Sequence, residues 1–265
     1  MRECYGSWWF HDIRRIRKDA AAQRRLLPNM KDISPCATCP KSGTAGFCAA
    51  VFESAPAGSN GASDWQHHFV VPAGRQLLTA NQTSPDVYVF CAGWGFRFLQ
   101  MPDGRRQILG FLLPGDVLAG SLLRERPHFS VKALTASQIS TMKRTELQAR
   151  VATNVRILWA AAECCADEAE AADETIAALG RFSAEERIAH LFLQLMKRIA
   201  SRNVIRDERY RMPLLQQHIA DAVGLTPVHV SRVLSAFRER RVADLSNGVL
   251  EVFDLRELQR LGALT

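Results

Sequence analysis

The chain has 265 residues, of which 47% are apolar and 23% charged, and its formal net charge is +7. That balance is ordinary for a globular protein of one or two domains and compatible with a polyanionic partner. No run approaches eighteen apolar residues, which excludes a membrane-spanning helix, and the basic N-terminus is not followed by the apolar core of a secretory signal. The expected setting is the cytoplasm, where paired cysteines hold metal or do redox work more often than they form disulfides.

Residues 1–33 are dense in arginine and lysine, keep no steady apolar period and read as a charged arm. The stretch SPCATCPKSGTAGFC (34–48) follows, with Cys36 and Cys39 spaced Cys-x2-Cys and Cys48 nine positions on. Thiolates at such spacing suit an iron–sulfur cluster or zinc, and Pro40, Gly43 and Gly46 let the backbone turn around an ion. A stretch that holds no metal is the third reading. APAGSNGAS (55–63) is a small-residue linker.

From Trp65 to Glu146, short runs rich in Val, Phe and Tyr are broken by turn signals: VPAGRQ, NQTSPD, CAGWG, MPDGRR and LPGD. Their even spacing predicts an antiparallel β sandwich or barrel, with a hairpin over Arg97–Gln107 around Pro102-Asp103-Gly104. Cys91 shares a strand face with Val87 and Val89 and reads as a core residue or as a further ligand for the N-terminal thiolates. His67 and His68, beside Trp65 and Phe69 at a strand start, read as surface residues.

Strand signals stop after Thr145. Val155, Leu158, Ala162, Cys165, Ala169, Ala172, Ile176 and Leu179 then recur in steps of three and four, an a/d seam on a long helix. So narrow an apolar stripe needs a partner, and a second copy of the chain is the simplest one. The other reading lays the helix on its own β domain. Glu163, Asp167, Glu168, Glu170, Asp173 and Glu174 along this helix would repel their copies in a dimer.

Ser183 and Glu186 form a capping box that opens a helix with Ile188, Leu191, Phe192 and Leu195 on its apolar face. Leu215–Val223 and Pro227–Arg238 read as two short helices joined by Gly224-Leu225-Thr226, and Asn247-Gly248 marks a terminal hairpin. Helix, tight glycine turn, capped second helix and hairpin make a winged helix-turn-helix, whose second helix enters a major groove. Val228, His229, Ser231 and Arg232 are the candidates to face bases, with Thr226 as the cap. Val230, Val233, Leu234 and Phe237 fall on the buried side. An arginine at position 232 can pair with guanine O6 and N7 together, and Val228 can touch only something apolar, such as a thymine methyl. Arg238, Arg240 and Arg241 are placed to meet phosphates.

With these motifs in order, the sequence resembles the Crp/Fnr family of bacterial transcription regulators. VGLTPVHVSRVL (223–234) is similar to the family's recognition helix, LGRFSAEERIAHLFLQL (179–195) to its passage from dimer helix to DNA-binding domain, and VYVFCAGWGFRF with GRRQILGFLLPGDVLAG (87–98 and 104–120) to its β roll. The resemblance implies an α+β fold: an arm and cysteine-rich loop (1–63), a β-roll sensor of the cyclic-nucleotide-binding kind (64–146), a dimerisation helix (147–180) and a winged helix (181–265). It also implies a homodimer on double-stranded palindromic DNA and activation through RNA polymerase. Many relatives carry glutamate where Val228 stands, and Thr or Ser as the helix cap where Leu215 stands.

Cyclic-nucleotide binders of the family carry a Gly-Glu pair and then Arg-Ser. Here Gly115-Asp116 is present and no Arg-Ser follows. The oxygen-sensing Fnr branch has a cysteine cluster ahead of the roll, and the resemblance puts Cys36, Cys39 and Cys48 in that place, as ligands of a 4Fe–4S cluster. The branch takes a fourth cysteine from the roll near Ile139–Met142, where this chain has none; Cys91 is the roll's one cysteine. Zinc, or no metal as in FixK-like members, are the alternatives. The sequence shows no nucleophile–base pair, phosphate loop or dinucleotide fingerprint, so no enzyme is expected.

Overall fold

The computed structural model describes residues 46–53, 66–201 and 209–264. Cys36, Cys39, the charged arm and the linker over 55–63 lie outside them. A short helix α1 (Phe47–Glu53) precedes seven strands: β1 (Gln66–Val71), β2 (Gln76–Leu78), β3 (Asp86–Ala92), β4 (Gly95–Gln100), β5 (Arg106–Leu112), β6 (Ser130–Ala133) and β7 (Ser137–Lys143). Helix α2 (Ala119–Leu123) interrupts them after β5. The strands make two antiparallel sheets, ordered β1-β7-β3 and β2-β6-β4-β5.

The two sheets roll around Val71, Leu78, Tyr88, Phe90, Leu112, Leu118, Phe129, Val131 and Ile139. Phe129 is fully buried, and a Cβ on Gly120 would come within 2.6 Å of its ring. The roll's interior is therefore filled by side chains. Strand β3 is apolar on both sides because both are covered. Tyr88 and Phe90 point into the roll, while Val87, Val89 and Cys91 alternate to the outer face and meet a second cluster. That cluster also contains Phe47, Ala50 and Val51 of α1 and Ile157 and Ala160 of the long helix.

The segment expected as one dimerisation helix over 147–180 is two helices. Helix α3 (Arg144–Thr153) ends at Asn154, whose extended backbone breaks the run and whose side chain accepts from the Arg156 N–H to cap α4 (Val155–Arg181). Helix α4 has 27 residues and is about 40 Å long. Its inner stripe, Ile157, Ala160 and Ala178, is buried. Six of the eight residues of the a/d seam read from the sequence are on the outer stripe: Val155, Leu158 and Ile176 are 59%, 51% and 67% exposed, with Ala162, Ala169 and Ala172 between them; Cys165 and Leu179 are half-buried, Cys165 against the cluster shared with the roll. The helix thus lies on its own roll and, among the described residues, still presents an uncovered apolar edge. Of the six acidic residues, Glu168 turns inward to pair with Arg97, and Glu174 accepts from Gln194. Glu163, Asp167, Glu170 and Asp173 remain on the exposed side.

Helix α5 (Ala184–Ala200) opens on the capping box of Ser183 and Glu186. Strand β8 (Arg209–Arg211), α6 (Gln216–Val223), α7 (Pro227–Glu239), β9 (Ala243–Ser246), β10 (Val249–Val252) and α8 (Leu255–Gly262) complete the chain, with the last sheet ordered β8-β10-β9. Their core is built on Ile188, Phe192, Ile219, Val230, Phe237 and Leu258, and it is continuous with Phe96, Phe98, Ile108, Phe111 and Leu113 of β4, β5 and the turn after them. Polar contacts cross the same junction. Arg106 pairs with Asp221, Gln107 Nε2 donates to the Ala222 carbonyl at 3.0 Å, and Arg198 reaches both Asp116 and the Phe111 carbonyl.

Candidate nucleic-acid interface

The interface is built from α6, α7 and the β9–β10 wing. Helix α6 stops at Gly224, whose φ of +68° is a left-handed conformation that glycine adopts without a Cβ penalty. Leu225 N–H closes the turn on the Ala220 carbonyl at 3.1 Å. Thr226 caps α7 by accepting from His229 N–H at 3.3 Å, and Pro227 occupies the first turn, where its missing N–H costs nothing. Val230, Val233 and Phe237 anchor the inner face of α7 in the core. The opposite face is open: Val228 is 62% exposed, Thr226, His229, Arg232 and Arg238 are exposed, and Ser231 is half-buried.

The structure therefore brings the expected base-facing residues onto one surface of one helix. Val228 and Arg232 are four residues apart and so share a ridge. In the wing, Asn247 and Gly248 have φ of +52° and +72°, the two positive values of a tight two-residue hairpin. Of the arginines expected to meet phosphate, Arg240 instead joins Glu185 of α5 and Glu257 of α8 at 2.7 and 3.0 Å, and Arg241 stacks on Phe253 at 5.1 Å. The carboxylate of Glu185 at Arg240 raises that guanidinium's pKa further. Arg240 thus serves to tie three elements of the winged helix together.

Leu215 shows what replaces the missing hydroxyl cap of α6. The Leu215 backbone N–H donates to Nδ1 of His218 at 3.1 Å, closing the helix start from its third position. A histidine there is outside the usual S-x-x-E pattern, so the pattern did not flag it. The half-buried ring lies 5.6 Å from Phe96 of the roll. Burial and the neighbouring Arg106 guanidinium hold its pKa below the usual imidazole value.

The four described cysteines gather elsewhere. Cys48 of α1, Cys91 of β3, and Cys164 and Cys165 of α4 all border the cluster between the roll and α4. Burial pushes the Cys164 thiol up to about 11, helped by Asp167, so it is a neutral thiol at neutral pH. Among the described residues, no group of three or more His, Cys, Asp or Glu side chains is arranged to hold a metal ion. His67 is exposed and His68 half-buried on β1.

Comparison with known proteins accords with this architecture. Residues 186–261 match the Crp-like helix-turn-helix domain, and residues 68–154 match the cyclic nucleotide-binding domain. The nitrogen fixation regulation protein FixK of Azorhizobium caulinodans is 33% identical over 170 residues, 64% of this chain and 68% of that protein. FixK of Bradyrhizobium diazoefficiens is 31% identical over 191 residues, 72% of this chain and 80% of its own. The solved structure of FixK2 from Bradyrhizobium japonicum superposes with a TM-score of 0.68 at 25% identity, covering 76% of this chain and 98% of that one. Two domains of the right kind in the right order, and relatives matched over most of their length, place the chain in the Crp/Fnr family of DNA-binding transcription regulators.

Proposed function

We propose that the protein binds a palindromic operator as a homodimer, joined along α4, and reads each half-site with the exposed face of α7. The observation that carries this reading is the division of α7 into a buried edge and an open edge bearing Val228, His229 and Arg232. The uncovered seam of α4 supports the dimer. In this reading Arg232 takes a guanine, Val228 packs on a thymine methyl, and Thr226, Ser231 and Arg238 touch backbone or neighbouring bases. Bound at a promoter, such a dimer acts on RNA polymerase. Selection of duplexes from a random pool, followed by footprinting, tests it: a two-fold symmetric sequence with half-sites one helical turn apart supports the reading, and an asymmetric or sequence-blind footprint refutes it.

For the signal, we infer that the N-terminal cysteines are the sensor. Cys36, Cys39 and Cys48 would hold a 4Fe–4S cluster with Cys91 as the candidate fourth ligand. Cys48 and Cys91 border one cluster of side chains, which fits a shared site. When bound, the cluster would supply oxygen- and redox-sensitive chemistry. Helix α1, which carries Cys48, rests on α4 through Phe47 and Val51, so a change at the cysteines has a packed route to the dimer helix. Cyclic nucleotide does not fit this reading, because Phe129 fills the roll and Asp116 is engaged with Arg198 and the Leu113 N–H.

A second reading, a FixK-like regulator without a metal or with structural zinc, is favoured by the identity to FixK proteins and by the lack of cysteine over Ile139–Met142. Anaerobic purification decides between them. A brown protein with stoichiometric iron and sulfide that bleaches in air supports the cluster; a colourless protein free of iron supports the second reading.

A further inference from the structure

The junction between the sensor roll and the helix-turn-helix contains an imidazole with one specific job. His218 Nδ1 accepts the Leu215 N–H, so this nitrogen must carry a lone pair. An imidazolium has protons on both nitrogens and cannot make that bond. It would also put a positive charge at the N-terminus of α6, the end where the helix dipole disfavours cations.

The surrounding charges do not compensate. Arg106 of β5 and Lys132 of β6 are both positive toward the ring. Asp221, on α6 itself, is the acid nearby, and both of its oxygens are engaged. Its Oδ2 accepts from Arg106 Nε at 2.8 Å, and its Oδ1 accepts from Gln217 Nε2 at 2.6 Å. The Arg106 guanidinium is in turn held over the Phe96 and Phe98 rings at 4.9 and 5.6 Å. The ring of His218 lies against the same Phe96. The imidazole is therefore wedged between the roll and the helix that supports the reading helix, with a cation on the roll side and a helix N-terminus on the other.

We propose that neutral His218 is a positioning residue for DNA binding: it closes the start of α6 and seats that helix on Phe96 of the sensor roll, so that its protonation unseats the helix-turn-helix and weakens operator binding in mild acid. Helix α6 carries α7 through the Gly224 turn, so the set of α6 on the roll sets the direction of Val228 and Arg232.

The sign follows from the lowered pKa. As pH falls, the unfolded or undocked chain takes up the proton first, so the docked state loses ground below about pH 6.5, the ordinary imidazole value, and is weakest below the lowered folded value. Above pH 6.5 the contact is complete.

The test is operator affinity by fluorescence anisotropy from pH 7.5 to 5.0, using the duplex that the protein itself selects from a random pool, for wild type, His218→Ala and His218→Gln. Glutamine can accept the Leu215 N–H and does not titrate. At pH 7.5, His218→Ala binds about fivefold more weakly than wild type and His218→Gln restores most of that loss, the size expected of one lost cap. On acidification the ratio of wild-type to glutamine affinity falls by about the same factor. Taking this ratio removes the contribution of other histidines, His229 among them. Far-UV circular dichroism of all three at each pH confirms that the fold persists. Superimposable pH profiles for wild type and His218→Gln overturn the proposal, as does an alanine variant that binds as tightly as wild type at pH 7.5. A protein that selects no duplex at all refutes the DNA reading instead.

Discussion

Substituting Asp221→Asn and Arg106→Gln, singly and together, probes the joint on which the position of the DNA-binding domain depends. Their side chains are 10% and 21% exposed, and the guanidinium lies between the carboxylate and two phenylalanine rings. At the 2.8 Å separation of Arg106 Nε and Asp221 Oδ2, Coulomb's law with an effective dielectric constant of about 20 gives a gross attraction of about 6 kcal/mol. Desolvation of both groups offsets most of it, leaving a net coupling of about 2 kcal/mol. Each single change costs more than that coupling, about 3 kcal/mol, because it leaves the other group partly buried without its partner. Urea unfolding followed by circular dichroism, run as a double-mutant cycle, reads these values directly. Single variants whose losses add to within about 0.5 kcal/mol in the double variant would show that the pair is not coupled and would refute the reasoning.

Two other substitutions test separate parts of the account. Ile176→Asp puts a charge on the uncovered seam beside Asp173. Sedimentation equilibrium should show a dimer weakened by about 2 kcal/mol or more with an unchanged monomer fold, since Ile176 is 67% exposed in one chain. An unaltered dimer constant would remove α4 from the interface. Thr226→Ala deletes the cap of α7 and should lower stability by about 1 kcal/mol in chemical denaturation, with a loss in DNA affinity at least as large in proportion; no change in either would mean that the turn does not depend on the hydroxyl.

The sequence made the helix-turn-helix legible because its signals are local. Gly224, Thr226, Pro227 and the Asn247-Gly248 turn each constrain the backbone within a few residues of themselves. The α4 seam was legible for the opposite reason: among the described residues most of it is left exposed, so its apolar period stands out unmixed. The inner stripe of the same helix was hidden among alanines, and its meaning depends on α1 and β3, which lie far away in the sequence. Arg240 looked like a phosphate contact because its neighbours in sequence are basic. Its partners, Glu185 and Glu257, are brought to it only by the packing of α5 and α8. The same is true of Arg106 and Asp221, 115 residues apart. Leu215 looked like a defect until the structure placed His218 Nδ1 on its N–H, a substitution of one capping chemistry for another.

Arg232 carries the central claim that α7 reads the operator. Replacing it with alanine should reduce affinity for the selected duplex by about 1–3 kcal/mol and relax preference at one base pair in each half-site, while binding to unrelated duplex falls only by the share of one lost charge. Unchanged sequence-selective binding by Arg232→Ala, measured by anisotropy against the selected and a scrambled duplex at fixed salt, would contradict the account.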